Sequence, residues 1–311
     1  MTQPAISIKN LSKTYTSKDG GKKHALKNIN LEIPQGSFFG LLGPNGAGKS
    51  TIINILAGLT LKSEGEINVC GFDLDKQTRQ VKQSLGIVPQ ELILDPFFTV
   101  REALDFHAGY YGIPKSKRRT GEIIDALSLK DKSEVGARRL SGGMRRRLLI
   151  GKALVHTPKV LILDEPTAGV DIELRRQLWD YVRKLNANGT TIVLTTHYLE
   201  EADELCDQIA IINHGEIVAA NSKEKLLAHL ENKMIIFRLS SEITQIPANL
   251  QSYNCKILKN NRLEIQYNPA EVQISKILEE VTKSGLLITD IISEDAKLED
   301  IFMQITSKKA A

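Results

Sequence analysis

SFFGLLGPNGAGKST, residues 37–51, decides how the rest of the chain is read. Its first half, SFFGLLG (37–43), reads as a buried strand running into a glycine-rich loop. Its second half, GPNGAGKST (43–51), fits the pattern G-x-x-x-x-G-K-[ST]. A helix is predicted from about Lys49 to Ala57, stopped by Gly58. Glycines let a backbone wrap a polyphosphate with its N–H groups pointing inward, and a helix start adds the positive end of its dipole. Gly43, Pro44, Asn45, Gly46, Ala47, Gly48, Lys49, Ser50 and Thr51 are therefore the predicted phosphate cradle. Lys49 carries its charge to the β- and γ-phosphates, and the Ser50 hydroxyl ligates Mg²⁺. A chance turn of small residues would not come with an apolar strand before it and a helix after it.

Reading outward, VLILDE (160–165) is the complement. Four apolar residues predict a buried strand, and the carboxylates fall where it leaves the sheet, where open α/β sheets place their ligands. Asp164 is assigned to Mg²⁺ through water, and Glu165 to the attacking water as base or orienter. Alone, an Asp-Glu pair after a strand is a helix cap or a solvated edge; beside a phosphate loop it is functional.

Period-2 alternation at Ile6 and Ile8, at Ile29, Leu31 and Ile33, and at Ile67 and Val69 predicts strands. GIVPQ (86–90) adds another. From about 91 to 157 the pattern turns helical, and TTIVLTTH (190–197) and QIAIIN (208–213) return to parallel-sheet character. Between VLILDE and TTIVLTTH, Leu174, Leu178, Val182 and Leu185 mark one helical face. HG (214–215) closes a hairpin. Strands alternating with helices imply an α/β core. Near Glu231 the character changes, and 231–311 reads as a small α+β domain. Its strands are 234–240, 255–260 and 262–267, with an amphipathic helix bearing Val272, Ile274, Ile277, Leu278 and Val281 and a last strand and helix over LLITDII and KLEDIFMQIT.

A length of 311 residues suits one large domain plus a smaller one. A net charge of +4 is too small to argue for nucleic acid, and 5% aromatics offer few stacking platforms. Cys70, Cys206 and Cys255 form no CxxC pair and read as buried free thiols of a reducing compartment. The N-terminus has no secretory pattern, and no run approaches the ~18 apolar residues of a membrane span. The expectation is a cytoplasmic protein.

LSGGMRRRLLIGKAL (140–154) is open to two readings. Five arginines around a Ser-Gly-Gly turn suggest a nucleic-acid patch. Alternatively Ser141 is the N-cap of a helix whose first amides, at Gly142 and Gly143, are left to hold an anion.

With these elements in this order, the chain resembles the ATP-binding subunits of ABC transporters over residues 4 to about 230. The resemblance implies a P-loop NTPase cassette of α/β class: a mixed sheet core, an antiparallel β subdomain and an inserted helical subdomain, followed by the C-terminal α+β domain. It also implies residue roles. Tyr15 stacks on adenine; Gln90 in VPQE is similar to the glutamine that senses Mg²⁺ and γ-phosphate and passes the signal to the helical subdomain. LSGG looks like the family signature, Ala168-Gly169-Val170-Asp171 resembles the D-loop, and His197 the switch histidine on γ-phosphate. The signature of one subunit faces the ATP of the other in a head-to-tail dimer, so Ser141, Gly142 and Gly143 grip a neighbour's nucleotide and no direct nucleic-acid partner is expected. The arginines then occupy other faces of that helix, available to carboxylates or the nucleotide neighbourhood. Met144 stands where most members carry glutamine. That departure, the basic run and the LEDIF ending (298–302) are similar to the branch that pairs with six-span ABC-2 permeases for export. ATP and Mg²⁺ are the implied cofactors. A second copy (or a similar ATPase subunit) and an integral permease at the inner face of the plasma membrane are the implied partners. The segment after Gln90, from Pro96 through Tyr110 and Tyr111, is expected to carry motion to that permease. The rival reading is an ABC ATPase with no permease, acting on nucleic acid or on assembly.

Overall fold

A computed structural model describes residues 3–17, 19–167, 172–228, 233–268, 271–294, 298–299 and 301–302. The chain divides into two compact units, 1–223 and 224–311.

In the first unit β1 (Ile6–Thr16) and β2 (Lys22–Ile33) form an antiparallel pair, and β3 (Phe38–Leu42) leads through the glycine loop into α1 (Lys49–Leu56). Then come β4 (Glu64–Val69), β5 (Phe72–Asp73), α2 (Thr78–Ser84) and β6 (Leu85–Val88). Three helices follow: α3 (Val100–Tyr110), α4 (Thr120–Ala126) and α5 (Gly142–Leu154). The unit is completed by β7 (Val160–Asp164), α6 (Ile172–Ala187), β8 (Thr191–Thr196), α7 (Leu199–Leu205), β9 (Gln208–Asn213) and β10 (Glu216–Ser222).

One sheet has the order β2-β1-β4-β5 and the other β10-β9-β3-β8-β7-β6. In the second sheet β9, β3, β8, β7 and β6 run parallel, with β10 antiparallel at the edge. The apolar runs predicted this: a parallel strand is covered on both faces, so β3, β7 and β8 are buried at every position. One face of the sheet (Phe39, Leu41, Ile162, Val193, Ile212) shares a core with Ile52 and Ile55 of α1 and with Ile6, Ile8 and Ile67 of the antiparallel sheet. On α6, Leu178, Trp179 and Val182 are buried; the side chain of Leu174 lies outside the described residues. The hairpin turn holds His214 at φ 49° and Gly215 at φ 80°, the left-handed pair a tight two-residue turn needs.

The helical segment begins later than about residue 91. Residues 91–99 hold no helix, because Pro96 disfavours helical backbone at Asp95 and the start is fixed by a capping box at Thr99 and Glu102. α5 packs against both α3 and α4. A Cβ on Gly151 would stand 3.0–3.2 Å from Leu127, Leu104 and Ile123, so the approach is set by its absence. α5 also lies against β6, where a Cβ on Gly86 would be 2.4 Å from the Ala153 carbonyl oxygen.

The second unit takes up α8 (Lys223–Ala228) after its first residue, then β11 (Lys233–Leu239), β12 (Asn254–Leu258), β13 (Arg262–Tyr267), α9 (Ile274–Lys283) and β14 (Ile288–Glu294). The strands make one antiparallel sheet in the order β12-β13-β11-β14. Ile277 and Val281 of α9 pack onto Ile235, Phe237, Leu263 and Ile265. Ile274, expected on or beside that face, is 43% exposed in the first turn of α9. Of the predicted last helix only 298–299 and 301–302 are described; Leu298 and Ile301 are buried.

Two expectations follow for stability. Gly86→Ala forces β6 from α5 and should cost about 1–3 kcal/mol, read as a lower thermal midpoint. Gly121→Ala, where a Cβ meets nothing within 4 Å, should leave the midpoint level or raised. An unshifted Gly86→Ala would mean the two backbones do not touch. The other expectation concerns His107, packed edge-on against Tyr111. Burial, with Lys152 and His156 nearby, lowers its pKa to about 4. The folded state therefore binds this proton less readily than the unfolded chain, so stability is full above about pH 6.5 and falls as pH drops toward 4. Urea midpoints of His107→Phe should decline less between pH 7.5 and 5 than those of the unsubstituted chain.

Candidate active site

Parallel pairing aligns the C-terminal ends of four strands. Leu42 of β3 is in register with Thr196 of β8, Thr195 with Asp164 of β7, and Leu163 with Val88 of β6. The next residue or two of each strand therefore emerge along one edge: Gly43, His197, Glu165 and Gln90. A cleft of about 810 Å³ opens there, lined among others by Tyr15, Asn45, Gly46, Gly48, Lys49, Ser50, Thr51, Gln90, Glu165 and His197.

The loop from Gly43 to Gly48 is shaped by close approaches. A Cβ on Gly43 would lie 2.3 Å from the Ile212 carbonyl oxygen; Gly48, at φ +117°, would place one 2.7 Å from Leu26. The loop is pinned by Ala47, whose N–H donates to Pro44 O and whose carbonyl accepts from Gly215 N–H. Gly48 is the N-cap of α1 and no side chain caps that end. The first amides of α1 have no intrahelical acceptor, so an anion is their natural partner. Pro44, Asn45, Gly46 and Ser50 are exposed, while Lys49 is 6% exposed. Its Nζ donates to Gly43 O at 2.6 Å and Pro44 O at 3.2 Å. Burial lowers the Lys49 pKa, against the raising fields of Glu165 and Asp164. A polyphosphate would relieve that cost.

Across the cleft Glu165 takes two contacts on Oε2, from Gln90 Nε2 at 3.1 Å and His197 Nδ1 at 3.2 Å. Its backbone sits at φ 45°, a left-handed conformation that costs a non-glycine residue about 1–3 kcal/mol. The conformation is held by its N–H, which donates to Thr195 O at 3.0 Å and to Thr195 Oγ1 at 3.2 Å. The same hydroxyl donates to Asp164 Oδ1 at 2.5 Å. Burial raises the Asp164 pKa, opposed by that hydrogen bond and by Lys49 and Arg146. Gln90 and Ser50 line the cleft, whereas Asp164, 7% exposed and bonded to Thr195, is not among its lining residues; an amide oxygen, a hydroxyl and a carboxylate are hard donors. Among the described residues no group of three or more His, Cys, Asp or Glu side chains could form a metal cage. A Mg²⁺ here fits as an ion shared with phosphate oxygens.

Tyr15 is 39% exposed at the cleft wall, with Lys13 Nζ 4.8 Å from its ring centroid. Asp171 and Ala168–Val170 lie outside the described residues. Ser141, Gly142 and Gly143 do not line the cleft of their own chain. They begin α5, where Ser141 Oγ accepts from Met144 N–H at 3.3 Å. The arginines after them, which the resemblance leaves to carboxylates or the nucleotide neighbourhood, donate in this structure to the chain's own carbonyls. Arg145 Nε donates to Leu140 O, Arg146 to Pro89 O and Gln90 O, and Arg147 to Leu127 O. Turns and helix ends leave carbonyls without partners, and Leu127, the C-cap of α4, is one of them.

The sequence missed two groups. Lys23, His24, Lys27 and His214 line the cleft because β2 pairs beside Tyr15 (Tyr15 opposite Lys23) and the β9–β10 turn folds over. Glu201, 5% exposed, accepts from Thr167 and Thr196 and lies 3.6 Å from Arg175. It ties the loop after Glu165 to the end of β8. In the sequence it is an acid in the first turn of a helix, which reads as a solvated dipole partner.

Residues 26–168 match the sequence model of the family described as "ABC transporter". The chain is 36% identical to the linearmycin resistance ATP-binding protein LnrL of Bacillus subtilis (strain 168), over 97% of this chain and 98% of that protein. It is 33% identical to the Nod factor export ATP-binding protein I of Rhizobium sp. (strain N33), over 99% of each. Among solved structures, the dimeric post-hydrolysis state of the ATP-binding cassette MJ0796 with ADP and Pi is similar, with a TM-score of 0.64 and 28% identity. That match covers 70% of this chain and 98% of that one. The chain belongs to the ABC transporter family and is an ATP-binding, ATP-hydrolysing subunit of its cassette type.

Proposed function

We propose that this chain is the motor of a membrane exporter of the ABC-2 type, two copies closing head to tail on two ATP molecules. The observation that carries the reading is the Glu165 carboxylate, held between Gln90 and His197 opposite an uncapped phosphate loop. In that reading Tyr15 stacks on the base, and free backbone N–H groups of the loop and the start of α1, between Gly43 and Thr51, receive the phosphates. Lys49 exchanges its two loop carbonyls for phosphate oxygens, a side-chain movement within the loop that already holds it. Ser50, Gln90 and Asp164 would hold Mg²⁺, which supplies charge neutralisation at the β- and γ-phosphates. Glu165 orients water at the γ-phosphorus and His197 donates to the charge that develops. Ser141, Gly142 and Gly143 offer an exposed helix start to the partner's nucleotide, and Asp171 stands for the D-loop.

Export is supported by the relatives, one named for linearmycin resistance and another for Nod factor export. Among the described residues no helix is long and apolar enough to cross a membrane. The membrane location is therefore proposed to come through a permease, at the inner face, with six-span ABC-2 architecture. The segment after Gln90 supports a docking role: Ile93, Phe97 and Tyr110 are 68%, 89% and 82% exposed. Phe98 stacks on the exposed Phe106, and such apolar clusters mark interaction sites. Tyr111, also expected there, instead stacks on His156.

Glu165→Gln should keep ATP binding and lower turnover by about 10²–10⁴-fold, while an ATP-bound dimer accumulates on size exclusion. Hydrolysis near the unsubstituted rate would remove Glu165 from the reaction. Capture of tagged Glu165→Gln from detergent-solubilised native membranes with ATP should recover, in stoichiometric amount, a protein with about six apolar spans of ~20 residues. Ribosomal, DNA-bound or purely soluble partners would keep the ATPase and overturn the exporter.

A further inference from the structure

Arg146 joins two parts of the chain that the proposed cycle uses at different nucleotides. It lies on α5, the helix capped by Ser141, and is 4% exposed. Its Nη1 donates to Pro89 O at 2.8 Å and its Nη2 to Gln90 O at 2.9 Å. Both arms of the fork therefore grip consecutive carbonyls of the segment whose Gln90 side chain reaches Glu165.

Two more contacts bind the same helix to β6, which ends at Val88 just before that segment. Just past the other end of α5, His156 Nε2 lies 2.8 Å from Leu85 O at the start of β6, its ring stacked on Tyr111 at 3.8 Å. Between the two anchors the backbones of Gly86 and Ala153 touch. The far end of α5 is thus fixed on β6, while its start is tied by Arg146 to the Pro89–Gln90 segment beyond the strand and tilts only with that segment. Burying a guanidinium costs stability that an apolar side chain would not. The geometry thus favours a constraint over a gain in folding energy, and the bidentate fork is the feature a lysine lacks.

The family resemblance implies that Gln90 passes its signal to the helical subdomain; we propose that Arg146 is the positioning residue that carries it, from the Pro89–Gln90 backbone to Ser141 and so to the ATP site of the second copy. The coupling rests on the head-to-tail reading above. A phosphate that draws Gln90 shifts the Pro89–Gln90 backbone, Arg146 carries the shift into α5, and the start of α5 moves with it.

The native chain gives the first test. At a concentration low enough for the chain to stay monomeric, Mg-ATP should change hydrogen exchange over 141–146 with the same ATP midpoint as over 89–91. No change over 141–146 in the ATP-bound monomer would overturn the coupling, and this readout needs no variant to fold. The second test is made in the Glu165→Gln background. Arg146→Met should leave ATP affinity of the monomer unchanged and weaken ATP-driven dimerisation by about tenfold, with Arg146→Lys between. Combined with Gln90→Ala, Arg146→Met should add no further loss, because it acts through that segment. Full dimerisation by Arg146→Met, or losses that multiply, would overturn the role. If Glu165→Gln with Arg146 intact stays monomeric in saturating ATP, the head-to-tail reading itself falls and the coupling with it.

Discussion

The parallel register of β3, β8, β7 and β6 is the constraint from which the site follows. Leu42 pairs with Thr196, Thr195 with Asp164 and Leu163 with Val88, and beyond these ends Asn45, His197, Glu165 and Gln90 line the cleft. Shifting one strand by a single residue would turn its buried side chains to the other face. It would also carry Glu165 or His197 away from the loop that holds Lys49. The core of Ile52, Ile55, Ile162, Val193 and Ile212 therefore fixes catalytic geometry as much as stability. Gly43, pressed against β9 with no room for a Cβ, shows how tightly the phosphate loop is set on that frame.

Charge in the cleft is held in a state that suits an incoming anion. Lys49 is buried among backbone carbonyls with two carboxylates opposite, and α1 begins without a side-chain cap. Glu165 occupies a strained backbone conformation that Thr195 enforces from two atoms. Strain held by neighbouring structure is characteristic of residues positioned for chemistry. Thr195 also orders Asp164, so one hydroxyl sets the orientation of both adjacent acids.

The family comparison and the geometry bear on different questions. Likeness over nearly the whole length of LnrL and of the Rhizobium export protein gives the family. The link between α5 and the Gln90 segment is a matter of geometry, made by Arg146, the second of three arginines after the signature. In the structure these serve the chain's own backbone carbonyls. The C-terminal sheet has its own core around Phe237 and Ile277 and holds none of the residues assigned to ATP.

Local pattern alone determined a great deal. The strand, loop and helix around GPNGAGKST, the all-buried VLILD run and the His-Gly turn were legible because each depends on neighbouring residues: period, caps and left-handed glycines. Lys49, Ser50 and Glu165 of the cleft came with them, and the family resemblance, not local pattern, pointed to Tyr15, Gln90 and His197. Tertiary structure alone decided the rest. Nothing in the sequence places Lys23, His24 and His214 in the cleft, since strand pairing over long separations brings them there. Glu201 looked like a surface acid until Thr167 and Thr196 closed around it. Arg146 looked like one of several solvated charges, and its partners, Pro89 O and Gln90 O, lie more than fifty residues away. A buried polar group is specified by the partner that satisfies it, and that partner is supplied by the fold.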